Sequence, residues 1–504
     1  MVDALRLSKE ATSRFARTCS RFLLLFIVLI AGSLRLAWLG RPSLWYDEVV
    51  TLTLALQRGP RELLRLLPQL DATRAPLHPL LLQGWLSLFG SSDWTARSFS
   101  VLCGVLSVLA VYRIGCASFD RSTGLWAAWL CAISPLLIMY SQEARPYALL
   151  VLVTCLAWEN LLSLRRSDSF WREVEFTACL VALGYIHPLG LLMDAMLAAG
   201  YLATGSAFQL SWRRWAAINL LAALGLAPWI GQYLNHSPEN LPGRSLTGYM
   251  VGLMLLSGGS RWTTVAGILL ITRGLFSRSS KTADEPSSPA TLQLDSSVDL
   301  WLIVVWYVGP SVLIYIYSLV SQPIFSEPRY HQFVGPAFLL LVARGLTKLP
   351  LAPRLGLGFL ATAIACWTSL GVLDEIPQVK ADWRDAAAVI HRDDPDAPVI
   401  ALADGPLPHG STPQEYLAIF PLRYYLQPSA RIIAVTAELK KLASDSRSAE
   451  PSMWYVVQTP EGIPAASVPK ELAQRYKPTQ VWQFPGLRLT HNRFRPSDAP
   501  DSQP

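Results

Sequence analysis

Residues 22–48 read FLLLFIVLIAGSLRLAWLGRPSLWYDE, and this stretch decides the fold class. Its first part, Phe22 to Leu39, is almost wholly apolar and approaches the roughly 20 residues that a membrane-spanning helix needs. Shortly after it stands the acidic pair Asp47-Glu48, preceded by Trp45 and Tyr46. Ionisable groups close to membrane hydrocarbon are costly and therefore mark functional sites. The alternative is a solvated loop in which Asp47 caps the next helix.

The composition of the whole chain also indicates a membrane protein. Of its 504 residues, 52% are hydrophobic and 16% charged, and the mean hydropathy of +0.31 is too high for a typical soluble protein. The net charge is +7, but the basic residues are scattered and form no nucleic-acid motif, so we expect no nucleic-acid partner. The seven cysteines show no metal-ligand spacing, which argues against structural zinc and disulfides.

Apolar runs recur along the first three quarters of the chain and predict about eleven transmembrane helices. The predicted spans are 22–39, 98–118, 124–140, 147–164, 174–187, 189–208, 216–234, 248–271, 301–320, 332–346 and 355–373. The apolar stretch 76–89 is shorter and is predicted to be an interfacial helix. Basic residues precede the first run and no small-residue cleavage site follows it, which predicts a retained signal anchor.

The basic residues predict the orientation. With a cytoplasmic N-terminus, strict alternation of the spans places every short basic cluster on the cytoplasmic face, as the positive-inside rule requires. The same alternation places the first loop, 40–96, and the segment 375–504 outside the membrane. We therefore expect a multi-pass protein of the plasma (inner) membrane with an extracytoplasmic C-terminal domain.

Two domains are predicted, a transmembrane domain at 1–374 and a small α/β domain at 375–504. In the second, helical and extended patterns alternate, which is typical of α/β folds. The predicted strands are 398–402, 431–435, 453–458 and 479–484, and the predicted helices are 382–391, 413–426, 436–443 and 469–476. A Gly-rich phosphate-binding loop is missing from this segment, so it does not read as a nucleotide-binding unit.

Polar side chains concentrate in the segments predicted to lie outside. They are Asp47, Glu48, Asp71, Arg74, His78, Glu143, Arg145, His187, Glu327, Arg329, Tyr330 and His331. Arginine binds phosphate oxygens through charge-assisted hydrogen bonds, and neighbouring tyrosines can stack on a sugar. A pocket of this composition suits a molecule with an anionic head and a lipid tail. The alternative is that these residues are interfacial anchors at the level of the lipid headgroups.

Several of these strings resemble a known family. Leu44-Trp45-Tyr46-Asp47-Glu48, Ala75-Pro76-Leu77-His78-Pro79-Leu80 and the stretch from Ser134-Pro135 through Tyr140 to Tyr147 are similar to motifs of bacterial polytopic glycosyltransferases of the GT-C fold. These enzymes are relatives of the protein O-mannosyltransferases and of the lipid A aminoarabinose transferase. The segments 323–330 and 380–384 resemble later motifs of the same family.

The resemblance implies transfer of a sugar from a polyprenyl-phosphate donor to a hydroxyl of a lipid, glycan or protein, with inversion at the anomeric carbon. A phosphate leaves as a stable anion, so the reaction needs one base for the acceptor hydroxyl and no general acid. By this resemblance the catalytic residues are Asp47 as base, Glu48 as its support or as a helix cap, and Glu143 for acceptor or metal binding. The substrate-binding candidates are Arg145 and Arg329 for phosphate, with Tyr147, His187, Tyr330 and His78.

Other functions remain open at this point. A transporter or flippase of lipid-linked anions would use similar polar groups, but no inverted repeat is apparent. A non-catalytic membrane scaffold would leave the carboxylates and arginines unexplained. No cofactor is indicated with certainty, and no metal site is predicted, although Asp47, Glu48, Glu143 and His187 leave a divalent metal open.

Overall fold

The computed structural model describes residues 2–234, 246–276, 296–321, 324–326, 328–379, 381–402, 421–426, 431–433, 450–458, 470–485 and 487–494. Its helices, in chain order, are α1 (Val2–Leu36), α2 (Tyr46–Ala55), α3 (Pro60–Leu70), α4 (Leu77–Phe89), α5 (Asp93–Ser118), α6 (Arg121–Ile133), α7 (Pro135–Ser141), α8 (Tyr147–Arg166), α9 (Phe170–Ile186), α10 (Pro188–Thr204), α11 (Trp212–Leu234), α12 (Leu246–Leu256), α13 (Arg261–Phe276), α14 (Ser296–Val320), α15 (Gly335–Thr347), α16 (Leu351–Val379), α17 (Trp383–Asp393) and α18 (Lys470–Arg475). Three short 3-10 helices cover Gly205–Ala207, Ile324–Ser326 and Pro328–Val334.

The predicted polytopic helical fold is confirmed. Within the described ranges, seven helices are long and apolar enough to cross a membrane, or nine if each of two bent pairs counts as one span. Two further predicted spans coincide with α9 and α15, which have 17 and 13 residues and are too short to pass alone. The predicted interfacial helix is α4.

Each of the two bent helix pairs changes direction at a proline or at glycines. The axes of α6 and α7 differ by 58° across Ser134-Pro135, where the proline lacks the N–H that would continue the helix. The axes of α12 and α13 differ by 76° across a turn with Gly258 and Gly259 at φ +118° and +91°. A Cβ on Gly259 would lie 2.1 Å from the Cγ2 of Thr368, so only glycine fits there.

Helix α8 lies at the centre of the helical core. Its spanning window is 89% buried, as expected of a helix that is apolar on all sides. Trp158 of α8 stacks on Trp306 of α14 with ring centroids 5.3 Å apart. Because α8 is fixed on every side, its first residue, Tyr147, is held rigidly at one end of the core.

The chain forms two compact units. The first, here called the membrane unit, comprises Met1–Leu39 and Leu54–Val372, and the second, the sheet unit, comprises Gly40–Thr53 and Leu373–Pro504. The predicted domain division differs in one respect, since Gly40–Thr53, with the acidic pair, belongs to the sheet unit.

The sheet unit contains a mixed five-stranded sheet. Its strands are β1 (Val399–Leu402), β2 (Ile432–Ile433), β3 (Ser452–Gln458), β4 (Tyr476–Phe484) and β5 (Leu487–Phe494), in the order β2-β1-β3-β5-β4. β1 pairs in parallel with β2 and β3, whereas β5 runs antiparallel to β3 and β4. Trp383 and Ile390 of α17 belong to the same core cluster as Trp454 of β3.

This sheet matches the predicted α/β segment except for β5, which was not predicted. The predicted helix 436–443 and residues 413–420 of another lie outside the described residues.

Candidate active site

The turn between α7 and α8 carries Glu143 and Arg145 and is tied to neighbouring helices. The side-chain amide of Gln142 donates to the carbonyl oxygens of Arg35 at 3.1 Å and of Ala37 at 2.7 Å. The hydroxyl of Ser100 on α5 donates to the carbonyl of Arg145 at 3.4 Å. Glu143 is buried and its carbonyl accepts from the Arg145 N–H at 2.8 Å. The turn is therefore fixed to α1 and α5.

Arg35 supports this turn from the side of α1. Its guanidinium is fully buried and donates to the carbonyls of Cys131 at 3.1 Å and Ala132 at 2.9 Å, in the last turn of α6. It also donates to the hydroxyl of Ser141 at 3.3 Å. A cation at this position caps the carbonyls that the break at Pro135 leaves without helical partners. Arg35 is therefore a cap of α6.

Arg145 lies in a buried ion pair. One of its terminal nitrogens is 3.5 Å from Asp71 Oδ2, and the two side chains are only 6% and 10% exposed. The other oxygen of Asp71 accepts from the N–H and from the hydroxyl of Thr73, both at 2.8 Å. No role followed for Asp71 from the sequence, although the Asp-x-Thr spacing of such a turn was a usable signal.

His187 offers a buried hydrogen-bond donor beside these charges. It links α9 to α10, and its Nδ1 accepts from the Leu189 N–H at 3.1 Å, which assigns the proton to Nε2. Nε2 is buried and has no hydrogen-bond partner among the described residues. Burial, together with the charge of Arg145, lowers the pKa of His187 to about 3; nearby Asp71 opposes the shift and Arg329 adds to it. The neutral ring therefore presents an N–H within the electrostatic field of Arg145 and Arg329.

His78, on α4, shares this environment. Its side chain is 1% exposed, and its Nε2 also has no hydrogen-bond partner in the described part of the chain. Burial, followed by the charge of Arg145, lowers the pKa of His78 to about 3, with Asp71 acting in the opposite direction. Both histidines are thus neutral near pH 7 and are coupled to the same ion pair.

Aromatic rings extend the cluster. The ring of His187 lies 6.0 Å from that of Tyr147 and 6.1 Å from that of Tyr330. The guanidinium of Arg329 stands over the Tyr330 ring at 5.2 Å, a cation–π contact. Tyr140 adds a further ring 5.8 Å from Tyr147. The predicted substrate-binding residues Arg145, Tyr147, His187, Arg329, Tyr330 and His78 therefore come together in the membrane unit.

The 3-10 helix Pro328–Val334 holds Arg329 and Tyr330 in place. Nε2 of His331 lies 2.8 Å from the carbonyl of Phe325, and the amide of Gln332 donates to the carbonyl of Arg329 at 3.1 Å. The indole N–H of Trp306 donates to the carbonyl of Phe333 at 2.9 Å. Position 327, an acidic residue named from the sequence, lies outside the described residues.

The acidic pair opens α2 in the sheet unit. Glu48 is fully buried, and its Oε2 accepts from the Trp45 N–H at 3.4 Å, the reciprocal bond of a capping box. Of the two roles open for Glu48, this geometry favours the cap. Asp47 is half-buried in the first turn of α2, and its carbonyl accepts from the Thr51 hydroxyl at 2.9 Å. Its carboxylate is thus carried on a fixed helix start.

No group of three or more His, Cys, Asp or Glu side chains is arranged to hold a metal ion in the described ranges. That the protein has no metal site therefore stays a prediction from the sequence.

Comparisons with known proteins identify the fold. Residues 73–231 match the family model described as dolichyl-phosphate-mannose-protein mannosyltransferase. The structure of ArnT from Cupriavidus metallidurans bound to undecaprenyl phosphate is 14% identical, with a TM-score of 0.58, and the match covers 93% of this chain and 97% of that one. The chain has the GT-C fold.

The apo structure of the same ArnT gives a consistent result, with 13% identity, a TM-score of 0.59, and coverage of 94% of this chain and 98% of that one. A comparison with curated protein sequences finds no significant match. The predicted resemblance to GT-C glycosyltransferases and the predicted multi-pass membrane fold are confirmed, and no finding favours a transporter.

Proposed function

We propose that this chain is a membrane glycosyltransferase that transfers a sugar from a polyprenyl-phosphate donor to an acceptor hydroxyl. The family match at 73–231 supports this proposal, because that region includes His78, Glu143, Arg145, Tyr147 and His187. The same fold binds undecaprenyl phosphate in the ArnT structure. The donor class follows from this and from the chemistry of the cluster in the membrane unit.

One observation carries the proposal: the buried N–H of His187 has no partner among the described residues and lies in the electrostatic field of Arg145 and Arg329. A buried donor without a partner costs roughly 1–3 kcal/mol, so its persistence indicates a ligand that accepts from it. Arg145 and Arg329 both act on His187 as positive charges, because both lower its pKa, and a positive field suits an anionic ligand. A phosphate oxygen meets both requirements at once.

The proposed reaction needs groups that bind the donor phosphate and one base for the acceptor. Arg145, Arg329 and His187 bind the donor phosphate and stabilise the negative charge that grows on it as the glycosidic bond breaks. Asp47 accepts the proton of the acceptor hydroxyl as that oxygen attacks the anomeric carbon from the opposite side, which inverts its configuration. The departing phosphate needs no proton at this step.

The remaining residues position these groups. Tyr147 and Tyr330 offer rings and hydroxyls to the sugar. Glu143, on the turn that carries Arg145, contributes to acceptor binding. Glu48 holds the first turn of α2 and thus orients Asp47. We place the reaction on the extracytoplasmic face of the inner membrane, on the basis of the predicted alternation of spans and basic clusters.

The test is Asp47→Asn in reconstituted protein supplied with polyprenyl-phosphate sugars. We expect a loss of about 10²- to 10⁴-fold in turnover, the usual contribution of a positioned base. The matched control is Asp93→Asn, because Asp93 is also half-buried in the first turn of a helix, α5. Wild-type turnover in Asp47→Asn would refute the assignment of the base. Movement of the donor across the bilayer without sugar transfer would instead favour a flippase.

A further inference from the structure

The segment 40–44, which precedes the acidic pair, is hydrogen-bonded to residues that lie at least 339 positions later in the sequence. Ser43 and Leu44, both buried, lie within the sheet unit together with α17 and with residues 421–426. The Ser43 hydroxyl donates to Asp382 Oδ1 at 2.7 Å. The Leu44 N–H donates to the Tyr425 hydroxyl at 2.8 Å. Leu44 immediately precedes Trp45, whose N–H donates to Glu48 in the cap of α2.

Arg384 makes the most extensive contact with this segment. Its two terminal nitrogens donate to the carbonyls of Gly40 at 3.0 Å and of Pro42 at 3.2 Å, and its backbone N–H donates to the Ser43 hydroxyl at 3.2 Å. The guanidinium also lies 5.8 Å from the centroid of the Tyr425 ring. A planar guanidinium that donates to two carbonyls fixes both the position and the direction of the backbone between them.

Asp382 and Tyr425 are themselves held by further hydrogen bonds. Asp382 caps α17, since its Oδ1 also accepts from the Asp385 N–H at 3.3 Å, and its own N–H donates to the carbonyl of Pro485 at 3.0 Å. Nε2 of His391 lies 3.4 Å from the carbonyl of Tyr425. The contacts therefore transmit the position of the folded sheet unit to the start of α2.

We propose that Asp382, Arg384 and Tyr425 are positioning residues that hold the segment 40–44 so that α2 presents Asp47 in its reactive orientation. This inference rests on the proposed function of Asp47 as the base. The segment 40–44 then acts on the rate of the chemical step and not on donor binding, which is assigned to Arg145, Arg329 and His187. Misplacement of a reacting group by about 1 Å is enough to lower a rate about 10²-fold.

The experiment compares Arg384→Gln and Tyr425→Phe with two matched controls. Arg392→Gln alters an exposed arginine on the same helix, bonded to its neighbour Asp393, and Tyr424→Phe alters the adjacent tyrosine. Each full-length protein is assayed with a polyprenyl-phosphate sugar for kcat and for the KM of the donor. Hydrogen exchange of the backbone amides at 44–48 is measured alongside.

We expect kcat to fall about 10²-fold in Arg384→Gln and about tenfold in Tyr425→Phe, with the donor KM unchanged and exchange at 44–48 accelerated. The controls should keep wild-type values of all three. Accelerated exchange with unchanged kcat would overturn the proposal, and so would a loss of kcat without faster exchange. If Arg384→Gln fails to fold, Tyr425→Phe, which removes only the hydroxyl that accepts from Leu44, decides the question. Full activity in Asp47→Asn would refute the base, whereas the exchange measurements would still report whether the segment is held.

Discussion

Replacement of Arg145 by glutamine tests the phosphate-binding cluster most directly. The substitution keeps a hydrogen-bonding side chain but removes the charge opposite Asp71 and beside His187. A hydrogen bond to a charged group contributes about 1.5–3 kcal/mol. Because about 1.36 kcal/mol corresponds to a tenfold change, we expect kcat/KM for the lipid-phosphate donor to fall about 10- to 150-fold.

The same substitution should disturb the fold only moderately. Asp71 keeps both hydrogen bonds from Thr73 at 2.8 Å, and its contact with Arg145 is long at 3.5 Å. The loss of stability from this contact alone should thus lie below the roughly 3–5 kcal/mol typical of breaking a tight buried pair. Removing the charge should also raise the pKa of His187.

The assay is the initial rate of sugar transfer in proteoliposomes as a function of donor concentration, with inhibition by the free polyprenyl phosphate as a measure of binding. The control is Arg172→Gln, an arginine of α9 that bonds to Asn160 and Glu175 and has no place in the cluster. A change of less than about threefold in kcat/KM for Arg145→Gln, against the range expected from a charged hydrogen bond, would refute the reasoning. An equal loss in Arg172→Gln would show that the effect is not specific to the cluster.

Three further predictions can be tested. Gly259→Ala should destabilise the protein by more than about 2 kcal/mol, because its φ is positive and its Cβ would collide with Thr368; thermal unfolding in detergent measures this against Gly84→Ala, where nothing lies within 4 Å. His78 and His187 have pKa values of about 3 when folded, below the value of about 6.5 in the unfolded chain, so the unfolded state binds more protons between these limits. The contribution of the neutral histidines to the free energy of unfolding should therefore be fully present above about pH 6.5 and fall as the pH decreases toward 3. The slope should be at most about 1.4 kcal/mol per pH unit for each histidine. Replacing both histidines by glutamine should flatten this profile in unfolding curves measured at a series of pH values. Treatment with a chelator should leave the initial rate of transfer unchanged, and a loss restored by one divalent cation would contradict the prediction of no metal.

The membrane helices could be predicted because long apolar runs are a local property of the sequence. The break between α12 and α13 could not, because hydropathy averaged along 248–271 hides the turn at Gly258 and Gly259. The strand β5 was missed for a related reason. Its buried residues include Thr490, His491 and Asn492, so it lacks the usual apolar alternation. The side chain of Asn492 donates locally to Thr490, whereas His491 bonds to Asp394 at 3.1 Å, a tertiary contact that no local pattern shows.

The types of residue in the candidate site were visible in short strings, but their partners were not. The turn with Glu143 and Arg145 stands out locally, whereas the pairing of Arg145 with Asp71 joins positions 74 residues apart. The cap that Arg35 provides for α6 spans 96 and 97 residues. Contacts at such separations depend on how the helices pack, and a single sequence carries no periodic signal for them.

The bond between Ser43 and Asp382 joins residues 339 positions apart, and this separation has a consequence for biosynthesis. Closing so long a loop costs little more free energy than closing a loop of half its length, but it cannot occur until the later partner has been synthesised. On the ribosome, α1 and all the long apolar helices emerge before Arg384 and Tyr425. A nascent or truncated chain can therefore insert its membrane-spanning helices before Arg384 and Tyr425 are present to bind the segment 40–44. Under the positioning proposal, such a chain transfers sugar much more slowly until Arg384 and Tyr425 have been synthesised and have bound the segment 40–44.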